Sequence, residues 1–197
     1  EITDAKGQVF TNIYDALNRI KQQDFAAGSD ITRIVTAYDA NGNVDTITET
    51  KAAGTEVTSN TYDVLERLST QTQRGRSISY AYDNNGNRTR VTSIGGVTTY
   101  TYDSRNRLST VTAGGVTNYR YFANNWLDKV THANGTAAAY TYDGVGRMLS
   151  VQNTLSNGNV LSSFAYTYDD NGNRTQQIET QNGFLTVQIR TTNYVFD

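Results

Sequence analysis

Hydrophobic and polar residues alternate along much of the chain in short runs. The run Ile-Ser-Tyr-Ala-Tyr at residues 78–82 places its isoleucine and both tyrosines on one side of an extended backbone. Residues 98–102 repeat the arrangement, with two tyrosines again on one side. Because alternation with a period of two is typical of β-strands, we predict an all-β protein.

A tyrosine, followed in most copies by aspartate, recurs along the whole chain. Successive copies are 19 to 28 residues apart, and all 14 tyrosines lie in this column or two residues before it. The copies begin at Tyr14, Tyr38, Tyr62, Tyr82, Tyr102, Tyr121, Tyr142 and Tyr168. A ninth copy begins at Phe196-Asp197. We therefore predict a single repeat array over residues 1–197, divergent in 1–30 and regular in 31–197, and we expect it to continue in a longer polypeptide.

Each tyrosine is followed by the residues of a tight turn. Seven aspartates are expected to cap these turns by accepting backbone N–H groups: Asp15, Asp39, Asp63, Asp83, Asp103, Asp143 and Asp169. The position four residues after the tyrosine is glycine or asparagine in seven of the eight copies, and we expect positive φ at Gly42, Gly86, Gly146 and Gly172. A second turn of variable length closes each unit, which predicts about two strands per repeat.

The repeats together predict a strip of antiparallel β-hairpins. A strip of some 16 strands exceeds the roughly 10 strands that open twisted sheets usually tolerate, so we expect it to curl or spiral into part of a shell or a solenoid-like sheet. The tyrosines should form a packing ladder along it. Two kinds of turn, Tyr-Asp-x-x-(Gly/Asn)-Arg and Tyr-Asp-x-Asn-Gly-Asn, alternate over the first five units. Residues 14–29 fit either a strand–turn–strand or a short helix.

Composition narrows the possible partners. The net charge is −2, so a phosphate-neutralising surface is absent and nucleic acid is not an expected partner. No apolar run approaches the ~20 residues of a membrane-spanning helix. The chain has no cysteine, which excludes disulfides, thiolate metal sites and cysteine nucleophiles. It also has no proline.

Candidate chemistry is sparse. The segment that starts at Asp39 has glycine and acidic residues in the wrong places for a calcium-binding EF-hand loop. The only histidine, His132, precedes a variable turn, where we expect it to be exposed. Trp126 either packs at a corner or offers a stacking platform, and the arginines of the turns pair with aspartate or stack on tyrosine rather than bind an anion. We expect no catalytic, cofactor or metal residues.

The motifs Tyr142-Asp143-Gly144-Val145-Gly146-Arg147 and Tyr168-Asp169-Asp170-Asn171-Gly172-Asn173 resemble those of the YD-repeat (RHS) family. The resemblance implies a long hairpin strip that spirals into a hollow shell, as in bacterial polymorphic toxins, Tc toxin complexes, wall-associated proteins and teneurins. It also implies that a shell can enclose an effector. The family's self-cleavage motif contains proline, so that protease cannot be assigned to this chain.

These observations predict a non-enzymatic structural segment of an exported protein, secreted or at the cell surface and most simply bacterial. Its partners would be the remainder of a larger YD-repeat polypeptide and an enclosed effector. It would form part of a β-shell or of a cell-surface fibre. The alternative is an adhesion module that binds glycans through exposed tyrosines and Trp126, with asparagine and threonine as hydrogen-bonding groups.

Overall fold

A computed structural model describes residues 2–3, 9–26, 28–183 and 186–195. The described residues form 18 strands, every recorded pairing is antiparallel, and no helix occurs among them. The all-β hairpin architecture is therefore confirmed. The ninth motif, at Phe196-Asp197, lies outside the described residues. The chain divides into two compact units, Glu1–Val97 and Thr98–Asp197, and the single array predicted for residues 1–197 stays a prediction.

In the first unit each strand pairs with the next one along the chain. The strands are β1 (Ile2–Thr3), β2 (Val9–Tyr14), β3 (Ile20–Phe25), β4 (Ile31–Tyr38), β5 (Val44–Lys51), β6 (Gly54–Tyr62), β7 (Leu68–Gln73), β8 (Arg76–Tyr82) and β9 (Arg88–Ser93). Residues 14–29, for which the sequence left two possibilities, contain the end of β2, a turn and β3. The strand–turn–strand prediction is confirmed there, and the helix alternative is wrong.

The second unit has the same succession of hairpins. Its strands are β10 (Gly96–Tyr102), β11 (Leu108–Thr112), β12 (Val116–Tyr121), β13 (Leu127–Thr131), β14 (Ala137–Tyr142), β15 (Met148–Thr154), β16 (Val160–Tyr168), β17 (Arg174–Asn182) and β18 (Val187–Asn193).

A register shift marks every motif tyrosine. In the β14–β15 hairpin Thr141 faces Ser150, but Tyr142 faces Met148, so one extra residue is accommodated beside the tyrosine. The same shift occurs at the other seven motif tyrosines. A β-bulge bends its strand and increases the local twist. The strand that follows each motif tyrosine is therefore bent at the same point in every repeat.

The two faces of the second unit differ in composition. One face, here called the tyrosine face, carries Tyr100, Tyr119 and Tyr140, each directly opposite a valine of the next strand. The opposite face carries threonine and serine pairs. Among the described hydrophobic residues only Val130 and Ala137 are buried, so the tyrosine face is mostly half-buried.

Candidate functional site

The tyrosine turns are the most organised side-chain sites in the chain. In the turn after Tyr142, the Asp143 N–H donates to the Arg147 carbonyl at 2.9 Å, and the Gly146 N–H donates to the Asp143 carbonyl at 3.2 Å. The Asp143 carboxylate accepts the backbone N–H groups of Val145 at 3.0 Å and Arg147 at 2.8 Å. Hydrogen bonding from the Arg147 side chain, followed by these backbone bonds, lowers the pKa of Asp143 below its usual value.

The other motif aspartates occupy equivalent positions. Each accepts the backbone N–H of the residue four positions later, at 2.8 to 3.0 Å, namely Asp15, Asp39, Asp63, Asp83, Asp103 and Asp169. Hydrogen bonds also lower the pKa of each of these carboxyl groups. A lowered pKa keeps the carboxylates ionised, which suits them as turn acceptors rather than as general acids.

The fourth position after each tyrosine has positive φ. The values at the four glycines are 96° at Gly42, 87° at Gly86, 93° at Gly146 and 86° at Gly172. The same conformation occurs at the non-glycine members of the column, Asn18, Glu66, Asn106 and Asn125, with φ between 61° and 74°. Glu66 is the unusual member, and its carboxylate accepts the Asn41 side-chain amide of the preceding turn at 2.6 Å.

Four turns carry arginine five residues after the tyrosine, and we call these the arginine turns. The Arg147 Nε donates to Asp143 Oδ2 at 2.6 Å, and its Nη1 donates to the backbone carbonyl of Asp169 in the next turn at 2.9 Å. Its guanidinium carbon also lies 5.0 Å from the centre of the Tyr168 ring. One side chain thus contacts its own turn and both the backbone and the ring of the next.

The other arginine turns make the corresponding contacts. The guanidinium-to-ring distances are 4.1 Å for Arg19 over Tyr38, 4.5 Å for Arg67 over Tyr82 and 4.5 Å for Arg107 over Tyr121. Arg67 and Arg107 also donate to the backbone carbonyls of Asp83 and Phe122 at 3.0 and 3.2 Å. The sequence left open whether these arginines pair with aspartate or stack on tyrosine, and the geometry shows that each does both.

Five motif tyrosines make hydrogen bonds in the opposite direction along the chain, to the preceding repeat. The Tyr168 hydroxyl donates to the Met148 carbonyl of the preceding repeat at 2.7 Å. Equivalent bonds of 2.8 to 2.9 Å run from Tyr38 to Ile20, Tyr62 to Val44, Tyr82 to Leu68 and Tyr121 to Leu108. Burial is the largest cause of the raised pKa of Tyr62 and of Tyr121. The only sequence signal for these bonds was that the column is tyrosine rather than phenylalanine.

Three of the other motif turns carry asparagine in place of arginine, and we call these the asparagine turns. The Asn173 side chain donates to Asp169 Oδ2 at 3.0 Å, which fills the place of the guanidinium. Asn43 and Asn87 do the same with Asp39 and Asp83, at 3.1 and 2.9 Å. Each asparagine turn follows an arginine turn whose guanidinium lies over its tyrosine ring. In these three pairs the arginine turn supplies the guanidinium and the asparagine turn receives it.

The turn after Tyr121 departs from both kinds. Phe122 stands in the aspartate position and Trp126 in the arginine position. The centres of the Trp126 and Tyr142 rings are 5.2 Å apart, so the indole occupies the place over the next tyrosine ring where the arginine turns have a guanidinium. A methyl group at Gly146 would lie 2.7 Å from Trp126 Cζ2, so glycine is needed there for space as well as for its φ.

Residues with other possible chemistry are scattered. His132 is exposed, and its backbone N–H and carbonyl belong to a turn with Thr136 and Gly135. Within the described part of the chain, no group of three or more histidine, cysteine, aspartate or glutamate residues is placed to hold a metal ion. The described residues also include no helix with the length and hydropathy to cross a bilayer.

Comparison with known proteins places these turns in a family. The sequence matches the teneurin YD-shell model over residues 1–189. No curated protein matches the chain significantly. The structure of the Photorhabdus luminescens Tc holotoxin pore with a mutated TccC3 is similar at a TM-score of 0.73 and 20% identity, over 94% of this chain and 12% of that one. The crystal structure of TcdB2-TccC3 gives 0.70 and 18%, over 91% and 12%.

A third similar structure, that of TcdB2-TccC3-TEV, gives a TM-score of 0.56 at 14% identity, over 86% of this chain and 11% of that one. This chain thus spans about one eighth of the length of the first two structures and slightly less of the third. At these identities the likeness shows a common fold.

Proposed function

Because the chain belongs to the teneurin YD-shell family, we propose that it is one segment of the wall of a larger protein shell and that its role is structural and non-enzymatic. The observation that carries the proposal is the two-way connection between successive turns. Arginine side chains reach forward to the next turn, and tyrosine hydroxyls reach back to the preceding repeat. These contacts join each repeat to the one before it and the one after it, as a continuous wall requires.

The half-buried tyrosine face supports a wall with two different sides. Its row of tyrosine and valine side chains has little buried core beneath it. A sheet with one apolar and one polar face usually covers the apolar face. We propose that the tyrosine face is turned toward the enclosed space, that the strip spirals with the rest of a longer polypeptide, and that the polar face is exposed to solvent.

We further propose that the enclosed space holds an effector polypeptide and that the complete protein is secreted or displayed at the surface of a bacterium. The support is the family and the likeness to Tc toxin structures. A structural role is supported by the side chains too, because the ionised turn aspartates are held by backbone N–H groups and arginines instead of facing a cleft.

A cysteine-labelling experiment tests the wall, because the native chain has no cysteine. Ser162 and Ser163 are neighbours on β16, are both partly exposed, and point to opposite faces, with Ser162 on the tyrosine face. Each is changed to cysteine in the complete parent polypeptide, in which any cysteine outside this chain has been replaced by serine. The protein is then treated with a polyethylene-glycol maleimide of several kilodaltons, too bulky to enter a closed shell.

The expected result is rapid labelling of Ser163→Cys and protection of Ser162→Cys in the intact parent, with equal labelling of both after denaturation. The isolated 197-residue chain is the matched control, in which both thiols are expected to react. Equal labelling of both positions in the intact parent would refute a closed wall.

A further inference from the structure

The first unit carries a group of polar and charged side chains on one face of its sheet. Tyr80 stands two residues before a motif tyrosine, the repeat position that marks the tyrosine face in the second unit, and we call its side of the first unit the Tyr80 face. Ile78 and Arg76 share that face because they lie two and four residues before Tyr80 on β8. Strand pairing adds Gln71, opposite Ile78, and Gln73, opposite Arg76.

These side chains border a cleft at the β7–β8 hairpin. The cleft measures about 420 Å³ and is lined by Gln71, Gln73, Arg74, Arg76 and Ile78. Two of the five residues are positively charged and none is negatively charged. Ile78 is 38% exposed and supplies an apolar side. The volume lies within the ~300–1,000 Å³ range of small-molecule sites.

The two arginines of the cleft differ in their surroundings. Arg74 Nη2 donates to Glu56 Oε2 at 2.5 Å. Lys51 Nζ lies 3.3 Å from the same carboxylate oxygen and 2.8 Å from Glu49 Oε2, so these four side chains balance one another's charge. Arg76 is exposed, and its side chain makes no hydrogen bond or ion pair within the described part of the chain. One positive charge beside the cleft is therefore uncompensated.

The two glutamines of the cleft have unused hydrogen-bonding groups. Gln71 Nε2 donates to Asn60 Oδ1 at 3.1 Å, and the Gln71 side-chain carbonyl has no partner among the described residues. The Gln73 side chain makes no hydrogen bond to any of them either. Gln71 and Gln73 are two residues apart on β7, a spacing of about 6.6 Å. Backbone groups on one side of an extended peptide recur at the same spacing, so the two amides fit such a peptide.

This combination selects one ligand chemistry. A carboxylate carries the single negative charge that the free guanidinium of Arg76 lacks, and a guanidinium can bind it through two parallel hydrogen bonds. A doubly charged phosphate would exceed the charge that Arg76 balances, and a cationic side chain would be repelled. We propose that the cleft binds the carboxylate of an acidic side chain on an extended polypeptide, whose backbone pairs with the two glutamines.

A carboxylate site goes beyond the structural role of a wall. Because Tyr80 has the repeat position of the tyrosines proposed to face the enclosed space, the acidic polypeptide would be the enclosed one. That identification rests on the proposed function. The carboxylate site itself does not, because the cleft is formed entirely by residues of this chain.

Nuclear magnetic resonance of the chain with isotope-labelled arginine tests the site, because the Nε–H signal of Arg76 reports on its guanidinium. The chain is titrated with acetyl-Ser-Glu-Ser-amide, and the same peptide with glutamine in place of glutamate is the neutral comparison. Acetate and inorganic phosphate are the other comparisons. We expect a saturable shift of the Arg76 signal with the glutamate peptide and at least about fivefold weaker binding of the other three, the scale of one accessible ion pair.

Two variants with the same change in net charge locate the site. Arg76→Gln, followed through the Arg74 signal, should weaken binding of the glutamate peptide at least about fivefold. Arg90→Gln is the matched control and should bind as the native chain does. Arg90 lies in the same unit opposite Ala81 on the other face, is exposed, and has no side-chain partner within the part of the chain that the structure describes.

Removing the internal carboxylate should have the opposite effect. Hydrogen bonding from Arg74 is the largest cause of the lowered pKa of Glu56, so this carboxylate is ionised and holds Arg74. Glu56→Gln frees Arg74 for the ligand and should tighten binding of the glutamate peptide at least about twofold. Weaker binding in Glu56→Gln would contradict the assigned competition between the two carboxylates for arginine.

Other results would overturn the carboxylate site. These are the absence of a shift with the glutamate peptide up to its solubility limit, equal affinity for the glutamine peptide or phosphate, and equal weakening by Arg76→Gln and Arg90→Gln. Equal affinity for acetate would contradict a polypeptide partner. Failure of the wall shows in the maleimide protection pattern of the parent, whereas failure of the carboxylate site shows in these titrations, so the two are distinguishable.

Discussion

Deleting one hydroxyl group from a motif tyrosine should measure the strength of the connection between repeats. Tyr121→Phe and Tyr168→Phe each remove a hydrogen bond to a carbonyl of the preceding repeat, of 2.9 and 2.7 Å, and leave the ring in place. A hydrogen bond of this kind contributes about 0.5–1.5 kcal/mol net. Each variant should therefore lower the free energy of unfolding of the second unit by about 1 kcal/mol.

The same unit contains a matched control. Tyr142→Phe removes a hydroxyl with no hydrogen bond to the described residues, so it should change the free energy of unfolding by less than about 0.5 kcal/mol. All three tyrosines lie in the unit that contains Trp126, whose emission follows unfolding in urea. Combining Tyr121→Phe with Tyr168→Phe should give about the sum of the single losses, because the two belong to separate repeats.

Comparing the three single variants tests whether the hydroxyl-to-carbonyl bonds hold neighbouring repeats together. If Tyr142→Phe destabilises the unit as much as Tyr121→Phe and Tyr168→Phe do, the effect comes from the tyrosine ring environment and the hydroxyl-to-carbonyl bonds do not hold repeats together. Unchanged stability in all three variants would also show that the hydroxyl-to-carbonyl bonds do not hold repeats together.

The turns give further predictions, all measurable by urea unfolding. Gly172→Ala, at φ 86°, should cost about 1–2 kcal/mol, and Gly172→Asn should cost less because asparagine tolerates this conformation. Gly146→Ala should cost more than Gly172→Ala and alter Trp126 emission, since the methyl group would contact the indole, whereas Gly172 has nothing within 4 Å. The pKa of Asp143 is lower in the folded state than its usual value of 3.8, so the ionised carboxylate stabilises the fold above that value. This stabilisation is lost as the pH falls through the folded-state pKa. Asp143→Asn should therefore reduce the loss of stability that the native chain shows below about pH 4. Equal costs for both alanines, or an unchanged acid profile, would contradict the assigned turn contacts.

The hairpins were predictable because their signals are local. Asp143 accepts N–H groups two and four residues away, and Gly146 adopts a conformation that its residue type favours, so neither depends on distant parts of the chain. The strand alternation of residues 78–82 is equally local. The same reasoning made residues 14–29 ambiguous, because the spacing of their apolar residues suits a helix and only pairing with the neighbouring strands selects β.

The connections between repeats could not be predicted in this way. The Tyr168 hydroxyl reaches a carbonyl 20 residues earlier, and that distance depends on strand register and on the bulge at each motif tyrosine. Arg147 similarly reaches a carbonyl 22 residues later. The contact between the Trp126 and Tyr142 rings was visible in the sequence only as two unusual residues, Phe122 and Trp126, because the pairing of β13 with β14 is what brings Tyr142 next to their turn.

Electron cryo-microscopy of the complete polypeptide that contains this chain tests the shell wall most directly. We predict a closed shell in which these strands form part of the wall, with Tyr100, Tyr119 and Tyr140 facing the interior. A map in which the same strands form an open fibre, or in which these tyrosines face bulk solvent, would contradict it.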